Sequence, residues 1–189
     1  VIANLDLPAL VHGLPAECPV VIDGYHGYMA IPTNLSGVAD RCFYLAGGYK
    51  YAMAGEGVCF CHVPPGWIPR PTNTGWYAEM ATLADTVSGN VAYASNGSRF
   101  LGSTFDPAGL YRMRAVLQWF SDEGLSVAAT HAYVRERQKQ FVAGLDGTGL
   151  STDALVVASD DPRHGNFLTF RMDSAADWKR RLGEANVIV

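Results

Sequence analysis

The sequence predicts an α/β protein: a mostly parallel sheet over residues 1–107, then connecting helices and a small α+β unit over 108–189. Three observations carry this prediction. CPVVI at 18–22 and RCFYLA at 41–46 are short continuous apolar runs, the mark of strands buried on both faces. Each run stops abruptly at glycine, aromatic and ionisable residues, DGYH at 23–26 and GGYK at 47–50. Past residue 149 the pattern turns to strand, strand and helix.

The elements follow in order. Residues 5–14 have the apolar spacing of a short helix, with Asp6 before Leu7-Pro8 at its start. The two strands at 18–22 and 41–46 come next, and a third apolar run at 58–63 ends at Pro64-Pro65-Gly66. Within it, Cys59 and Cys61 alternate onto one face and read as buried thiols. A metal site built from Cys59, Cys61 and His62 lacks a second pair of ligands. Gly55-Glu56-Gly57 reads as a hairpin-like turn, because it lacks the Lys-Ser/Thr of a phosphate loop.

Residues 67–107 are irregular and rich in Gly, Asn, Thr and aromatics, with a short helix expected over 76–87. After Asp106-Pro107, the residues Leu110, Met113, Val116, Leu117 and Phe120 recur near the helical period, and residues 122–124 end that helix. Ser126 caps the next helix, through Val134 and Phe141. Residues 153–159 and 166–172 read as paired strands across Asp160-Asp161-Pro162, and Ser174 with Asp177 as a cap for a last helix.

Composition excludes several classes. With 49% hydrophobic and 17% charged residues the chain is no disordered polymer. A net charge of −4, a pI near 5.7 and no basic block argue against nucleic acid as a partner. The densest basic stretches, 135–139 and 179–181, read as solvated helix faces. No apolar run approaches a membrane span and no signal peptide opens the chain, so the expectation is a reduced, cytoplasmic protein.

Chemistry concentrates at Asp23 and Lys50, which fall just past the C-terminal ends of two successive strands, the edge where open α/β sheets put their ligands. A lysine amine attacks an aldehyde once it is deprotonated. A carboxylate one strand away suits a pyridinium nitrogen. These are the two groups that a pyridoxal phosphate site asks of a protein.

The surrounding motifs, DGYHG at 23–27, GGYKYAMAGEG at 47–57, TGWYAE at 74–79 and GSTFDPAGLYR at 102–112, occur in that order. Together they resemble the class V aminotransferase superfamily of fold-type-I pyridoxal phosphate enzymes, and within it the kynureninase-like branch, over roughly half of a family member. The resemblance implies that 1–107 is the C-terminal half of the cofactor-binding large domain and 108–189 an incomplete small domain. It implies Lys50 as the Schiff-base lysine, Asp23 at the pyridine nitrogen, His26 near the ring, and the Tyr49 hydroxyl at the phosphate. Trp76 and Asp106 would complete the cofactor contacts, although Asp106 stands where kynureninases tend to carry Asn, and a carboxylate cannot donate to a phosphate.

An amino-acid substrate and a homodimer follow from the same resemblance. A cysteine desulfurase is disfavoured, since Cys59 and Cys61 follow the lysine on a strand instead of lying on a mobile loop. Val1 and the β-branched run at 187–189 make the chain look like an internal piece, lacking the family's phosphate loop and its carboxylate-binding arginine. Arg99, Arg112 and Arg171 are the candidates for that arginine's duty, none at the matching position. The competing expectation is a non-catalytic fragment or partner-binding remnant of such an enzyme.

Overall fold

The computed structural model describes residues 3–82 and 92–189. Residues 83–87 of the helix expected over 76–87 lie outside them, while Trp76–Thr82 form a 3-10 helix. The chain divides into two compact units, one of Leu7–Tyr25 and Leu35–Gln118, the other of Val1–Asp6, His26–Asn34 and Trp119–Val189.

The first unit holds helix α1 (Leu7–His12) and strands β1 (Val20–Asp23), β2 (Cys42–Gly47) and β3 (Cys59–His62), in the spatial order β1-β2-β3. β1 runs parallel to β2, pairing Val20 with Cys42 and Asp23 with Leu45. β3 is antiparallel, pairing Gly47 with Cys59 and Tyr44 with His62. The sheet is therefore mixed, which corrects the mostly parallel expectation. The connection over residues 48–58 turns back on itself without a crossover helix, and only a crossover delivers a parallel neighbour.

Strand alternation and this register sort the side chains onto two faces. One face carries Val20, Ile22, Cys42, Tyr44 and Ala46. Its core consists of Val11 of α1, Val20, Val38 and Cys42, all buried, with Ile22 and Leu35 packed around them. Burying each such aliphatic side chain contributes roughly 1.5–3 kcal/mol. The opposite face carries Val21, Asp23, Leu45, Gly47, Cys59 and Cys61. Here Val21 is 60% exposed, and both cysteines are exposed. So β1 is buried on one face only, and Cys59 and Cys61 are not buried thiols. They do share a face, but it is the one that the α1 core does not cover. His62 points the other way and donates its Nε2–H to the Ala39 carbonyl at 2.7 Å, so it cannot converge with the two thiols.

Arg99 ties together the described parts of the 67–107 segment. Its guanidinium is buried and donates to the backbone carbonyls of Ile68, Trp67, Asn96 and Ser95 at 2.8–3.5 Å. Thr74 Oγ1 donates to the carbonyls of Arg99 and Leu101. Gly75 must lack a side chain, because a Cβ there would lie 2.0 Å from the Gly102 carbonyl oxygen.

Helix α2 (Ala108–Asp122) begins in this unit and ends in the other. Asp106 Oδ1 accepts from the Ala108 N–H at 2.9 Å, which fixes the start. In the second unit, Ser126 caps α3 (Val127–Ala143) as expected, with Oγ accepting from Ala129 N–H at 3.1 Å. The buried residue of α3 is Gln138, whose amide donates to the Gly165 carbonyl at 3.0 Å, whereas Phe141 is exposed. Arg135 donates to the carbonyls of Ser159 and Asp161.

The expected strands at 153–159 and 166–172 reduce to one antiparallel bridge, Leu155 with Phe170. Thr152–Ala154 coil into a 3-10 turn, and the intervening loop closes on itself through Asp161, whose carboxylate accepts two guanidinium bonds and a backbone N–H from Arg163. Helix α4 (Ala175–Glu184) starts at Ser174 without the expected side-chain cap. Ser174 sits at φ −85°, ψ 12°, not in the extended conformation that aims a cap oxygen at the first turn. Asp177 instead pairs with Arg180 at 2.6 Å. A cleft of about 490 Å³ lies in this unit, lined among others by Phe141, Phe170, Met172, Trp178 and Leu182. No helix among the described residues is long and apolar enough to cross a membrane.

Candidate functional site at the strand ends

Asp23 is the last residue of β1, and Lys50 follows the end of β2 by three residues, so both lie at one edge of a parallel pair. Because β3 runs the opposite way, its first residue, Cys59, lies at that edge too, directly opposite Gly47. Asp23 is exposed, and its Oδ1 accepts from the Tyr25 N–H at 3.0 Å. The Gly24 N–H donates to the Leu45 carbonyl at 2.8 Å, carrying the β1–β2 ladder one step past Asp23. Gly24 needs its bare backbone, since a Cβ would fall 2.2 Å from the Tyr44 ring.

The glycine pair before Lys50 is required on similar grounds. A Cβ on Gly47 would meet Tyr25 Cε1 at 2.6 Å, and one on Gly48 would meet Val58 Cγ1 at 2.5 Å. Hence Tyr25 lies across the end of β2 and stacks on Tyr49, ring centroids 5.6 Å apart and tilted by 45°. The Tyr25 phenol lies near the Cys59 thiol. Burial pushes its pKa above the usual phenol value, and Cys59, Tyr49 and Asp23 add to the rise, so Tyr25 stays neutral. Lys50 is half-buried, with Nζ 5.0 Å from the centroid of the Tyr49 ring. The turn closes behind it through Met53 N–H to the Lys50 carbonyl and Ala54 N–H to the Gly48 carbonyl.

Helix α2 braces the far side of this turn. Arg112 donates to the carbonyls of Ala54 and Glu56, and Gly109 fits against Gly57, where a Cβ would come within 2.5 Å of the carbonyl oxygen.

The structure thus brings together Asp23, Tyr49 and Lys50, and adds Tyr25 and Cys59. Cys59 has no local signal, because its place depends on the direction of β3. His26 is exposed and belongs to the other unit. Trp76 is 51% exposed and packs edge-on against Tyr77, which in turn meets Phe105 edge-on. Asp106 caps α2. Arg99 and Arg112, candidates for binding a substrate carboxylate, spend their donors on backbone carbonyls. Among the described residues no group of His, Cys, Asp and Glu could hold a metal ion.

No protein-family profile and no curated protein matches this chain. Among solved structures it is similar to the apo structure of a cysteine desulfurase from Thermococcus onnurineus NA1, with a TM-score of 0.67 and 14% identity over 89% of this chain. The chain spans 40% of that structure's length. At such identity the likeness is one of fold: the chain has the mixed α/β fold of part of a cysteine desulfurase.

Proposed function

We propose that the chain carries the reactive lysine of a pyridoxal-phosphate-dependent enzyme of the class V aminotransferase type, acting on an amino acid as a kynureninase-like hydrolase or a transaminase. The observation that carries this reading is the placement of a carboxylate and an amine past the ends of adjacent parallel strands, Asp23 on β1 and Lys50 after β2. The motif resemblance and the fold likeness support it.

The residues fit the group chemically. Pyridoxal phosphate, when bound, supplies an aldehyde for an amine and a protonated ring that draws electrons from the substrate. Lys50 would supply the nucleophilic amine for that aldehyde and would move protons at the substrate's reacting carbon. Asp23 Oδ1 accepts from the Tyr25 N–H, which leaves Oδ2 as the oxygen that would pair with the ring nitrogen. An anionic partner there keeps that nitrogen protonated. A homodimer belongs to the same reading and is measured by sedimentation.

The sequence has three lysines, Lys50, Lys139 and Lys179, which makes the test internal to one sample. The chain is mixed with pyridoxal phosphate below equimolar amounts, reduced with borohydride and digested for mass spectrometry. The pyridoxyl group is expected on Lys50 and is lost in Lys50→Ala. Labelling spread evenly over the three lysines would sink the reading.

A further inference from the structure

We propose that Tyr25 is a positioning residue for Lys50, acting through Tyr49: one tyrosine from each motif forms an aromatic pair that sets where the lysine amine rests. The functional meaning of this pair rests on Lys50 being the reactive amine.

Tyr25 is fastened at two points. Its backbone N–H is held by Asp23 Oδ1 at 3.0 Å, and its ring lies over Gly47, which has no side chain to exclude it. Its ring therefore gives Tyr49 a fixed surface to stack on, at 5.6 Å between centroids. Tyr49 is 43% exposed and would otherwise be free to turn on the surface. Its π-face is the contact that holds the Lys50 ammonium, at 5.0 Å. A cation over an aromatic face is attracted by the ring quadrupole, and at a partly exposed site that attraction changes a population about two- to fivefold. The order of support runs from Gly47 to Tyr25, to Tyr49, to Lys50. As a neutral phenol Tyr25 contributes packing, not proton transfer.

Limiting formaldehyde with cyanoborohydride tests this on the full chain, without any cofactor. Methylation of Lys50 is read by peptide mass spectrometry relative to Lys179, with the Lys139 to Lys179 ratio as control. Lys50 is expected to react more slowly than the other two. Tyr25→Ala and Tyr49→Leu should each raise the Lys50 ratio about two- to fivefold, while the control ratio stays constant. Tyr25→Phe, which keeps the ring, should match the wild type.

An unchanged Lys50 ratio in Tyr49→Leu or in folded Tyr25→Ala overturns the proposal, as does Tyr25→Phe behaving like Tyr25→Ala. Should Tyr25→Ala not fold, the Tyr49→Leu and Tyr25→Phe results decide it. If methylation responds as expected but pyridoxal phosphate does not select Lys50, the functional reading fails and the positioning stands.

Discussion

The segment gathered around Arg99 and the turn that carries Lys50 are loops of the same unit, and each sets a cation beside an aromatic ring. Arg99 lies 4.6 Å from the Phe100 centroid, Lys50 Nζ 5.0 Å from that of Tyr49. They differ in what else the cation meets. Arg99 is 8% exposed, and its donors are taken by backbone carbonyls from both ends of its segment. Among the described residues, the Lys50 ammonium rests against the ring face alone. A planar guanidinium with five donors can satisfy several carbonyls at once, and its charge is then committed to holding the chain together. An ammonium left against a ring keeps its donors, and so keeps its chemistry.

Replacing Arg99 is the strongest way to break this contrast. Arg99→Met removes the guanidinium bonds of the Trp67, Ile68 and Ser95 carbonyls and should cost about 3 kcal/mol, read from the urea midpoint. Arg99→Lys should recover only a part, because a single ammonium cannot span Trp67, Ile68 and Asn96. Next comes Gly47→Ala, which forces the Tyr25 ring aside. It should cost about 1–3 kcal/mol by overpacking and raise the methylation of Lys50 as well.

A third cation, Arg163, lies between the two extremes, paired yet exposed. Its guanidinium hydrogen bonds and its backbone N–H hold the Asp161 carboxyl at a pKa of about 2. A depressed carboxylate pKa adds stability above the unfolded value, and that stability is lost as pH falls through the folded one. The wild type should therefore lose a small increment of melting temperature between about pH 4 and 2, and Asp161→Asn should flatten that slope. The smallest effect is expected for Lys50→Met, whose stability should stay within about 0.5 kcal/mol of wild type. A large loss would place Lys50 with Arg99 among the structural cations.

How far the sequence could be read follows from the range of the interactions involved. The ends of β1 and β2, the turn at 55–57 and the Ser126 cap are local, so apolar runs, glycines and one hydroxyl announce them. The placement of Asp23 and Lys50 at one edge follows from those ends. The exposure of Cys59 and Cys61 is not legible in the sequence, because alternation tells which residues share a face, not which face is covered. The direction of β3 depended on how the 48–58 connection closes, and the Ser174 cap on a backbone angle that composition does not encode. Arg99 and Arg112 carry no signal of their structural duty, since their partners are main-chain carbonyls that every residue possesses. Trp76 and Asp106 stood out by motif alone, and their contacts here are aromatic packing and a helix start.

The pairing of Asp23 with Leu45 has a further consequence for errors in assembly. Side chains along a strand alternate with a period of two, so a slip of β1 by one residue would carry Asp23 into the α1 core and turn Ile22 outward. Burial of a lone carboxylate is costly enough to forbid that alternative. The residues of the core face, Val20, Ile22 and Cys42, thus act as the proofreading device for the carboxylate's address.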